Sequence, residues 1–482
     1  MEERKGFGSN FGFLMAAIGS AVGLGNIWGF PNKMGANGGF TFLILYLVLA
    51  VFCGVIVMIG ELALGRKTGH GAIGAYRILS KKFKWLGWMG VLSAFLILGF
   101  YCALGGYCLK YVTLNVGNLF HAGFGTGTLD GAGVFDALMA NQGECVIYGL
   151  IFVAITMIIV MGGVGGGIEK VCSVGMPALF VMLVICIIRS CTLDGAVEGL
   201  KYMFVPGWAL DNGIIKEAPS FFSVLSTAGG QMFFSLSLGM AAMITYGSYM
   251  DKKKNLQKNA VVIVVMDTVV ALMAGLCVIP GRFALDPTGN LGGPSLLFVT
   301  MQNVFDRMGS VGPIFGIMFY LLVVFAAVSS SISLLEAVVA HFVDKARDQG
   351  KGDKRKLYSL IGAIGAGILC VIVCLDALGN AGISPADILG MRVDPSDKVP
   401  TWSADWLDFF DCIAEGILMP LGALLMSIMY GWEVGPEVVH AEATREGQSF
   451  GAYGWFKICI KYITPLCMLL VLYGQIKEFF FV

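Results

Sequence analysis

The residues best suited to chemistry lie in a glycine-rich stretch, Gly19–Pro31, which reads GSAVGLGNIWGFP. The stretch contains the polar Ser20 and Asn26, yet it lies within a segment that is otherwise long and apolar enough to cross a bilayer. A backbone group without a hydrogen bond in hydrocarbon costs several kcal/mol, so a broken helix survives there only where something else, such as an ion or a ligand, satisfies it. The stretch therefore predicts a binding site at membrane depth.

A second polar interruption, GGQMFFSLSLG at Gly229–Gly239, falls in the sixth predicted span. Corresponding interruptions in the two halves of a chain are typical of transporters built from inverted repeats around a central site. The alternative is that both are glycine seams that let helices pack closely, and for a third run, Gly162–Gly167, we weigh the two equally. Asn26 and Ser235 within the two breaks favour a binding site there.

Motifs of soluble enzymes and metal proteins give no competing function. Gly69, Gly71 and Gly74 satisfy GxGxxG, but no strand precedes them and no βαβ unit surrounds them, so the match is attributed to chance. The 13 cysteines show no CxxC pair or zinc spacing and are predicted to pack as small apolar side chains. The four histidines lie far apart in the sequence. We predict that the chain is not an enzyme.

The composition places both breaks in a polytopic membrane protein. Of 482 residues, 57% are hydrophobic and 13% are charged, and the mean hydropathy is +0.80. These values are far from those of a soluble domain. Windows of roughly 20 apolar residues, long enough to cross a bilayer, recur about eleven times. They begin near Phe11, Phe40, Gly87, Val146, Val171, Phe221, Ala260, Gly312, Leu357, Phe409 and Phe456.

Basic residues set the predicted orientation. The loops after the second, sixth and eighth predicted spans are rich in Lys and Arg, whereas the loops that alternate with them, such as 115–141, are poor in both. Cytoplasmic loops retain basic residues, so the N-terminus is expected in the cytoplasm and Val482 outside. The first residues, MEERKGFGSN, do not resemble a cleaved signal peptide. We predict no nucleic-acid partner.

Five motifs, in order along nearly the whole chain, resemble the neurotransmitter:sodium symporter family, bacterial amino-acid branch. They are GSAVGLGNIWGFP, ELALGR at Glu61–Arg66, GFYCALGG at Gly99–Gly106, FFSLSLG at Phe233–Gly239 and SSS at Ser329–Ser331. The resemblance implies the LeuT fold: an all-α polytopic membrane protein with about eleven transmembrane helices, of which helices 1 and 6 are broken. It divides the single transporter domain, 1–482, into inverted five-helix repeats at 7–192 and 218–375, followed by 376–482 with helices 10 and 11.

The same resemblance implies a function. It is sodium-coupled import of a neutral amino acid by alternating access. The implied partners are two Na⁺ ions, an amino-acid substrate and the lipid bilayer. The protein is expected to be a monomer in a bacterial inner membrane. One alternative is a membrane amino-acid sensor that binds without translocation, although the longest tail-like cytoplasmic segment, 433–453, is too short for a signalling domain. An uncoupled channel is another alternative, although a channel needs no second gate.

Two sodium sites are carried over from the family. The first resembles the Ala21 carbonyl, the Asn26 side chain, the carbonyl and hydroxyl of Ser235, and Asp267; the second resembles the carbonyls of Gly19, Val22 and Ala326 with the hydroxyls of Ser329 and Ser330. Hard oxygen ligands suit a hard cation. Serine hydroxyls in transmembrane helices also bond to their own backbone, but three consecutive serines opposite a broken helix favour the ion.

Asp267 stands out because an acidic side chain near mid-membrane costs roughly 2.5 to 3.5 kcal/mol on insertion scales and is functional by default. Chloride-dependent animal members of the family have a serine one turn later that helps to bind the anion, where this chain has Ala271. Our hypothesis is that Asp267 supplies the compensating negative charge, so that transport does not require chloride. Uptake of a proton by Asp267 after sodium leaves is a second possibility.

The substrate residues follow from the same resemblance. Free amides at the start of a half-helix favour a carboxylate, and the absence at Gly23 of the aspartate found in amine transporters argues for an amino acid. The substrate set is Ser20, Ala21, Gly23, Leu24, Gly25, Tyr101, Leu104, Phe234, Ser235, Ser237, Met240, Ser330, Ser333 and Leu334. Met240 replaces a phenylalanine of the leucine-preferring relative. Methionine is flexible and contacts aromatic rings favourably, so we expect a large hydrophobic or aromatic substrate.

Two gates are implied, one on each side of the site. The inner gate comprises Arg4 facing Asp344, with Phe7, Ser248 and Tyr249. At the outer gate, the family's arginine is Gly29 here, so its salt bridge with Asp411 cannot form. Lys33, one helical turn after Gly29, is a candidate partner for Asp411. Glu415, one turn below Asp411, either joins this network or touches the substrate amine; the alternative is that both carboxylates are solvated vestibule charges.

Overall fold

The computed structural model describes residues 6–286, 294–352, 354–392, 394 and 397–481. The helices that build its long segments are α1 (Asn10–Ala21), α2 (Gly25–Ala36), α3 (Phe40–Thr68), α4 (Leu86–Leu119), α5 (Gln142–Met161), α6 (Val164–Cys191), α7 (Phe221–Ser235), α8 (Ala242–Gly247), α9 (Leu256–Leu285), α10 (Gly309–Asp348), α11 (Arg355–Asp376), α12 (Trp406–Glu433) and α13 (Tyr453–Phe480). Short helices connect them at Ala72–Leu79, Gly131–Ala140, Ala196–Phe204, Trp208–Asp211, Met301–Asp306, Pro385–Ile388, Thr401–Ala404 and Glu437–Ala443.

These helices match the spans predicted from hydropathy. Among the described residues, nine helices are long and apolar enough to cross a membrane, or ten when the bent pair α1 and α2 counts as one span. The pair α7 and α8 occupies the sixth predicted span, in two pieces that are each shorter than a full crossing.

The centre of the molecule is formed by α4 and α10, which pack against each other along much of their length. In the most apolar window of α4, 78% of the residues are buried, against 28% for α6. Small residues allow the close approach of neighbouring helices. A Cβ atom at Gly106 would lie 2.5 Å from the backbone nitrogen of Gly149 on α5, so this crossing requires glycine.

The first break separates α1 from α2. Ser9 caps the beginning of α1 by accepting a hydrogen bond from the Gly12 amide (2.9 Å). The helix ends where Val22 takes an extended conformation (φ −74°, ψ 99°), and the axis turns by 46° before α2 continues. Inside the break, the Gly23 amide donates to Oδ1 of Asn26 (3.0 Å), so a side chain replaces one missing helical bond.

The second break is shorter than the sequence pattern indicated. Helix α7 continues through Gly229 and Gly230 to Ser235, and the chain is non-helical only up to Ala241. The two glycines serve packing, because a Cβ atom at Gly229 would lie 2.3 Å from Val471 and one at Gly230 would lie 2.7 Å from Gln475. The prediction that the break begins at Gly229 is therefore wrong in its boundary.

Backbone strain marks the true position of this break. Ser237, Gly239 and Ala241 have φ values of 53°, 77° and 65°. Left-handed backbone costs a non-glycine residue about 1–2 kcal/mol, and such strain persists where the surrounding structure over-determines it. The non-helical segment meets the first span near its break, because the Ser237 hydroxyl donates to the Ser20 carbonyl (2.7 Å).

Candidate functional site

Asp267 lies at the centre of a fully buried polar cluster between the two breaks. Its Oδ1 accepts hydrogen bonds from Nδ2 of Asn26 (2.7 Å) and Oγ of Ser235 (3.1 Å), and its Oδ2 accepts from Ser235 (3.0 Å) and from the Tyr46 hydroxyl (3.3 Å). Asn26, Ser235 and Asp267 are each 0% exposed. The structure thus brings together the three side chains predicted for the first sodium site.

Tyr46 is a member of this cluster that sequence reasoning missed. It is 0% exposed and lies on α3, which contributed no predicted site residue. A buried tyrosine hydroxyl requires a partner, and that requirement was the available signal. It could not identify the partner, because Tyr46 and Asp267 are far apart in the sequence.

The five groups predicted for the second sodium site also converge. Oγ of Ser329 lies 2.9 Å from the Ala326 carbonyl and 3.5 Å from that of Val22, and Oγ of Ser330 lies 3.3 Å from the Gly19 carbonyl and 3.5 Å from that of Val22. These oxygens come from the end of α1 and from one turn of α10. The hydrogen bond from Ser329 to the Ala326 carbonyl is the bond to the serine's own helix that was considered as the alternative to ion binding. It leaves lone pairs on the hydroxyl oxygen and on the carbonyl oxygen available to a cation.

A narrow cavity lies between the two ion clusters. Its lining residues are Ser20, Ala21, Gly23, Gly25, Ile97, Tyr101, Phe234, Ser237, Met240, Ser330 and Leu334. Ten of them belong to the predicted substrate set, and Ile97, one turn before Tyr101 on α4, is an addition. The cavity volume is about 10 Å³, room for about one water molecule. The lining side chains therefore have to move before an amino acid fits.

Four predicted substrate residues do not line this cavity. Ser235 belongs to the Asp267 cluster, and Leu104 is buried elsewhere on α4. Ser333 lies one layer behind the wall, where its hydroxyl accepts from Ser20 (2.7 Å) and donates to the Ser330 carbonyl (2.7 Å). Leu24 contributes only its amide. Leu104 and Ser333, predicted to contribute side chains to the pocket, therefore do not line this cavity, whereas the amide contribution of Leu24 is the one expected from the sequence.

The cavity wall includes Gly23 and Tyr101, which are among the groups predicted to bind the substrate carboxylate. The Leu24 amide donates to the Tyr101 hydroxyl (2.7 Å), so two predicted carboxylate donors occupy each other. A Cβ atom at Gly23 would lie 2.3 Å from both the Tyr101 hydroxyl and Oγ of Ser330. Position 23 therefore has no room for a side chain, because these two hydroxyls lie against its backbone.

A serine links the two breaks beside this cavity. Oγ of Ser237, in the second break, donates to the backbone carbonyl of Ser20 at the end of α1 (2.7 Å). The same carbonyl accepts from Oγ of Ser330 (3.1 Å). The Ser20 carbonyl thus links both the second break and α10 to the end of α1.

Two buried glutamates brace the broken spans. Oε1 of Glu61 accepts from the Gly239 amide in the second break (2.7 Å). Oε1 of Glu336 accepts from the Tyr249 hydroxyl at the end of the sixth span (2.5 Å), and its carboxylate also forms an ion pair with Arg355 at the beginning of α11. Arg355 was not singled out from the sequence, because its partner lies on another helix.

The inner gate residues that the structure describes lie together. Phe7 packs edge-on against Phe13, Tyr246 and Tyr249, with ring centroids 5.5, 5.8 and 6.2 Å away. Asp344 accepts from the Gly71 amide (2.8 Å), and Ser248 donates to the Thr245 carbonyl. Arg4, the predicted partner of Asp344, lies outside the described residues.

At the outer side, the ion pair of Lys33 is with Glu415 rather than with Asp411. The prediction named Asp411, one helical turn away from the observed partner. Lys33 extends from α2 toward the carboxylate of Glu415, which is 4% exposed. Glu415 thereby joins the network, as one of the alternatives held. Gly29 itself faces Oε1 of Gln231, 2.9 Å from where its Cβ atom would be.

Comparison with known proteins gives concordant results. Residues 4–119 and 137–390 match the model of the sodium:neurotransmitter symporter family. The sodium-dependent transporter YhdH of Bacillus subtilis is 33% identical over 96% of either chain, and the sodium-dependent transporter MJ1319 of Methanocaldococcus jannaschii is 28% identical over 98% of this chain and 90% of its own. The crystal structure of MhsT in complex with L-phenylalanine superposes with a TM-score of 0.83, at 33% identity, over 98% of this chain and all of that one.

Proposed function

The chain belongs to the sodium:neurotransmitter symporter family, and from that premise we propose that it imports a large hydrophobic or aromatic amino acid together with sodium. The observation that carries the proposal is the buried cavity between the Asp267 cluster and the Ser329–Ser330 oxygens. A zwitterion in that cavity would have its carboxylate beside the first cluster. Coupling then has a physical basis, because ion and substrate share oxygen ligands.

We propose two sodium ions. The first ion would take the positions between Ala21, Asn26, Ser235 and Asp267, and the second the oxygens of Gly19, Val22, Ala326, Ser329 and Ser330. Both groups offer oxygen ligands only, which suits a hard monovalent cation. Asp267 supplies a full negative charge at the first position, whereas the second relies on carbonyl and hydroxyl dipoles alone.

The residues of the cavity wall and the ligand of a relative both support a large hydrophobic or aromatic substrate. Ile97, Met240 and Leu334 provide an apolar end, opposite the amides of the first break. MhsT, which shares the fold, is seen with L-phenylalanine, and the present chain offers a flexible methionine that adapts to an aromatic ring. A polar or charged side chain would leave unpaired groups at this end, which costs binding free energy.

Independence from chloride follows from Asp267. A carboxylate held by Asn26, Ser235 and Tyr46 already places a negative charge next to the first ion position. Adding a chloride ion there would bring like charges together, which is unfavourable in a low-dielectric interior. We therefore expect the same transport rate when chloride is replaced by an inert anion.

Alternating access would use the two half-helix pairs. The outer route would be closed by the pair Lys33–Glu415, with Asp411 above it, and the inner route by Phe7, Ser248, Tyr249 and Asp344, with Arg4. The inverted repeats 7–192 and 218–375 would then each contribute one broken span. We place the protein as a monomer in a bacterial inner membrane with a cytoplasmic N-terminus, as its basic loops favour.

Uptake into proteoliposomes tests this function. Radiolabelled phenylalanine, leucine, alanine and glutamate are offered with an inward gradient of sodium or potassium, in chloride or gluconate. We expect accumulation of phenylalanine or leucine with sodium only, unchanged in gluconate. Sodium-dependent binding without accumulation would contradict transport and identify a sensor, and a requirement for chloride would contradict the role given to Asp267.

A further inference from the structure

Glu169, five residues after α6 begins at Val164, is hydrogen-bonded to the segment that begins α1. Its Oε2 accepts from the Gly8 amide (2.8 Å) and its Oε1 accepts from Oγ of Ser9 (3.1 Å). Ser9 is the residue that caps α1. The half-buried carboxylate of Glu169 thus connects α6 to the start of α1. Glu169 and Ser9 are 160 residues apart in the sequence.

The electrostatics of this contact favour a carboxylate. Helix N-termini carry a partial positive charge and unpaired amides. Glu169 lies next to the Gly8 amide, which precedes α1, so its negative charge is stabilised by the dipole of that helix. Hydrogen bonds to an ionised acceptor are roughly twice as strong as neutral ones. A glutamine at this position would keep the shape and lose that charge.

The surroundings of Glu169 leave it little freedom. A Cβ atom at Gly12, on the first turn of α1, would lie 1.9 Å from Oε1 of Glu169. The carboxylate therefore sits flat against the α1 backbone. The chain enters α6 through Gly163, whose positive φ (74°) favours glycine.

The other end of α1 is held by a different set of groups. There the Gly19 and Val22 carbonyls meet Ser329 and Ser330, and Met176 of α6 lies 3.1 Å from where a Cβ atom of Gly19 would be. Helix α1 is thus fastened to α6 at both ends, by Glu169 on the cytoplasmic side predicted from the basic loops and by packing next to the second ion position.

We propose that Glu169 is a positioning residue that latches the cytoplasmic end of α1 against α6 and so sets how readily the inner side opens. The proposal rests on the proposed function, because it assumes that α1 moves as a unit about the break at Val22. Sodium at the second position holds one end of α1 and Glu169 holds the other. Without sodium, the latch is what keeps the closed state populated.

The test uses a native reporter, Cys172. It lies one turn after Glu169, on the face of α6 toward α1, and is 1% exposed; Cys186, further along the same helix, is 5% exposed and serves as the internal reference. The rate at which a water-soluble maleimide alkylates each cysteine is followed by mass spectrometry resolved to the individual residue. The full-length protein is used in proteoliposomes in potassium medium, without sodium or substrate.

In Glu169→Gln we expect alkylation of Cys172 to accelerate about tenfold, which corresponds to about 1.4 kcal/mol, with Cys186 unchanged. Ser9→Ala removes one of the two donors, so an increase of about threefold is expected. Lys170→Gln, at the adjacent exposed position, is the matched control and should behave as the unmodified protein. Adding sodium should slow Cys172 alkylation in Glu169→Gln.

Equal rates for Cys172 in the unmodified protein, Glu169→Gln and Ser9→Ala would overturn the latch. So would a parallel rise at Cys186 or in Lys170→Gln, because that pattern reports general loosening. If Glu169→Gln does not fold, Ser9→Ala decides alone. The readout needs neither substrate nor uptake, so failure of the proposed transport and failure of the latch give different results.

Discussion

At the residue scale, the predicted ion ligands of this protein are held in place by hydrogen bonds to one another and to neighbouring groups. Asp267 is held by Asn26, Ser235 and Tyr46, and Ser329 and Ser330 face the carbonyls at the end of α1. Such preorganisation lowers the cost of ordering a site when its ligand arrives. It also makes each of these side chains a separate point at which sodium coupling can be tested.

Replacing Asn26 by alanine should weaken sodium binding. The change removes one predicted ligand and one of the two donors to Oδ1 of Asp267, so the sodium concentration for half-maximal uptake should rise about tenfold, about 1.4 kcal/mol. The measurement is the sodium dependence of initial uptake in proteoliposomes. Asn212→Ala, at an exposed position, is the control. An unchanged sodium dependence would remove Asn26 from the site.

A side chain at position 23 should exclude the substrate. In Gly23→Ala the new Cβ atom would meet the Tyr101 hydroxyl and Oγ of Ser330 at 2.3 Å, so affinity for the amino acid should fall by about a hundredfold, about 2.7 kcal/mol. Equilibrium binding of radiolabelled substrate measures this. Gly454→Ala, where a Cβ atom would meet nothing within 4 Å, is the matched control. Wild-type affinity in Gly23→Ala would refute the position of the carboxylate.

Met240 should govern the size of the accepted side chain. Met240→Phe puts a rigid ring into a cavity that is already nearly full, so uptake should shift from phenylalanine toward leucine or smaller amino acids, with a change of about tenfold in the ratio of the two rates. Competition between the two labelled amino acids measures that ratio. If it matches that of Met391→Phe, at an exposed methionine, Met240 does not line the substrate site.

At the scale of elements, the two broken spans are stabilised by residues outside them. The non-helical segment between α7 and α8 carries left-handed φ values at Ser237 and Ala241, and its Gly239 amide donates to Glu61 of α3. The first break is satisfied by Asn26 and Tyr101. Each break therefore depends on neighbouring helices to stay open in an apolar environment.

Removing one brace should destabilise the fold. Glu61→Ala leaves the buried Gly239 amide without its acceptor, which costs about 1–3 kcal/mol. We expect a lower melting temperature for the detergent-solubilised protein, measured by intrinsic fluorescence. Glu198→Ala, which removes an exposed glutamate paired with Lys201, should melt like the unmodified protein. Equal melting temperatures for both variants would mean that Glu61 does not support the break.

At the scale of the whole molecule, the similarity to MhsT over 98% of the chain confirms the all-α LeuT fold, and membership of a transporter family agrees with the absence of enzyme motifs in the sequence. The core formed by α4 and α10 supports both clusters and the cavity. The net charge moved across the membrane in each cycle depends on how many ions accompany each substrate. It is therefore set by both ion clusters and the cavity together.

Transport should therefore respond to membrane potential. With two sodium ions and one zwitterion, 100 mV contributes about 4.6 kcal/mol, at about 2.3 kcal/mol per charge. This supports more than about a thousandfold accumulation at about 1.4 kcal/mol per decade. Substrate accumulation in proteoliposomes with clamped potassium diffusion potentials measures the dependence. If the membrane potential contributes only half of this free energy, a proton is carried out on Asp267 in each cycle. If accumulation does not depend on the potential, coupling to two ions is contradicted.

The sequence by itself determined the apolar spans, the two breaks and most of the residues around them, because hydropathy, glycine placement and intramembrane polar residues leave local patterns. Ten of the eleven cavity residues were predicted from the resemblance of the motifs to a known family. Contacts between distant segments leave no such pattern. Tyr46 beside Asp267, Lys33 with Glu415, and Glu169 with Ser9 were decided only by the tertiary structure, since helix packing sets which side chains face each other and how far each one reaches.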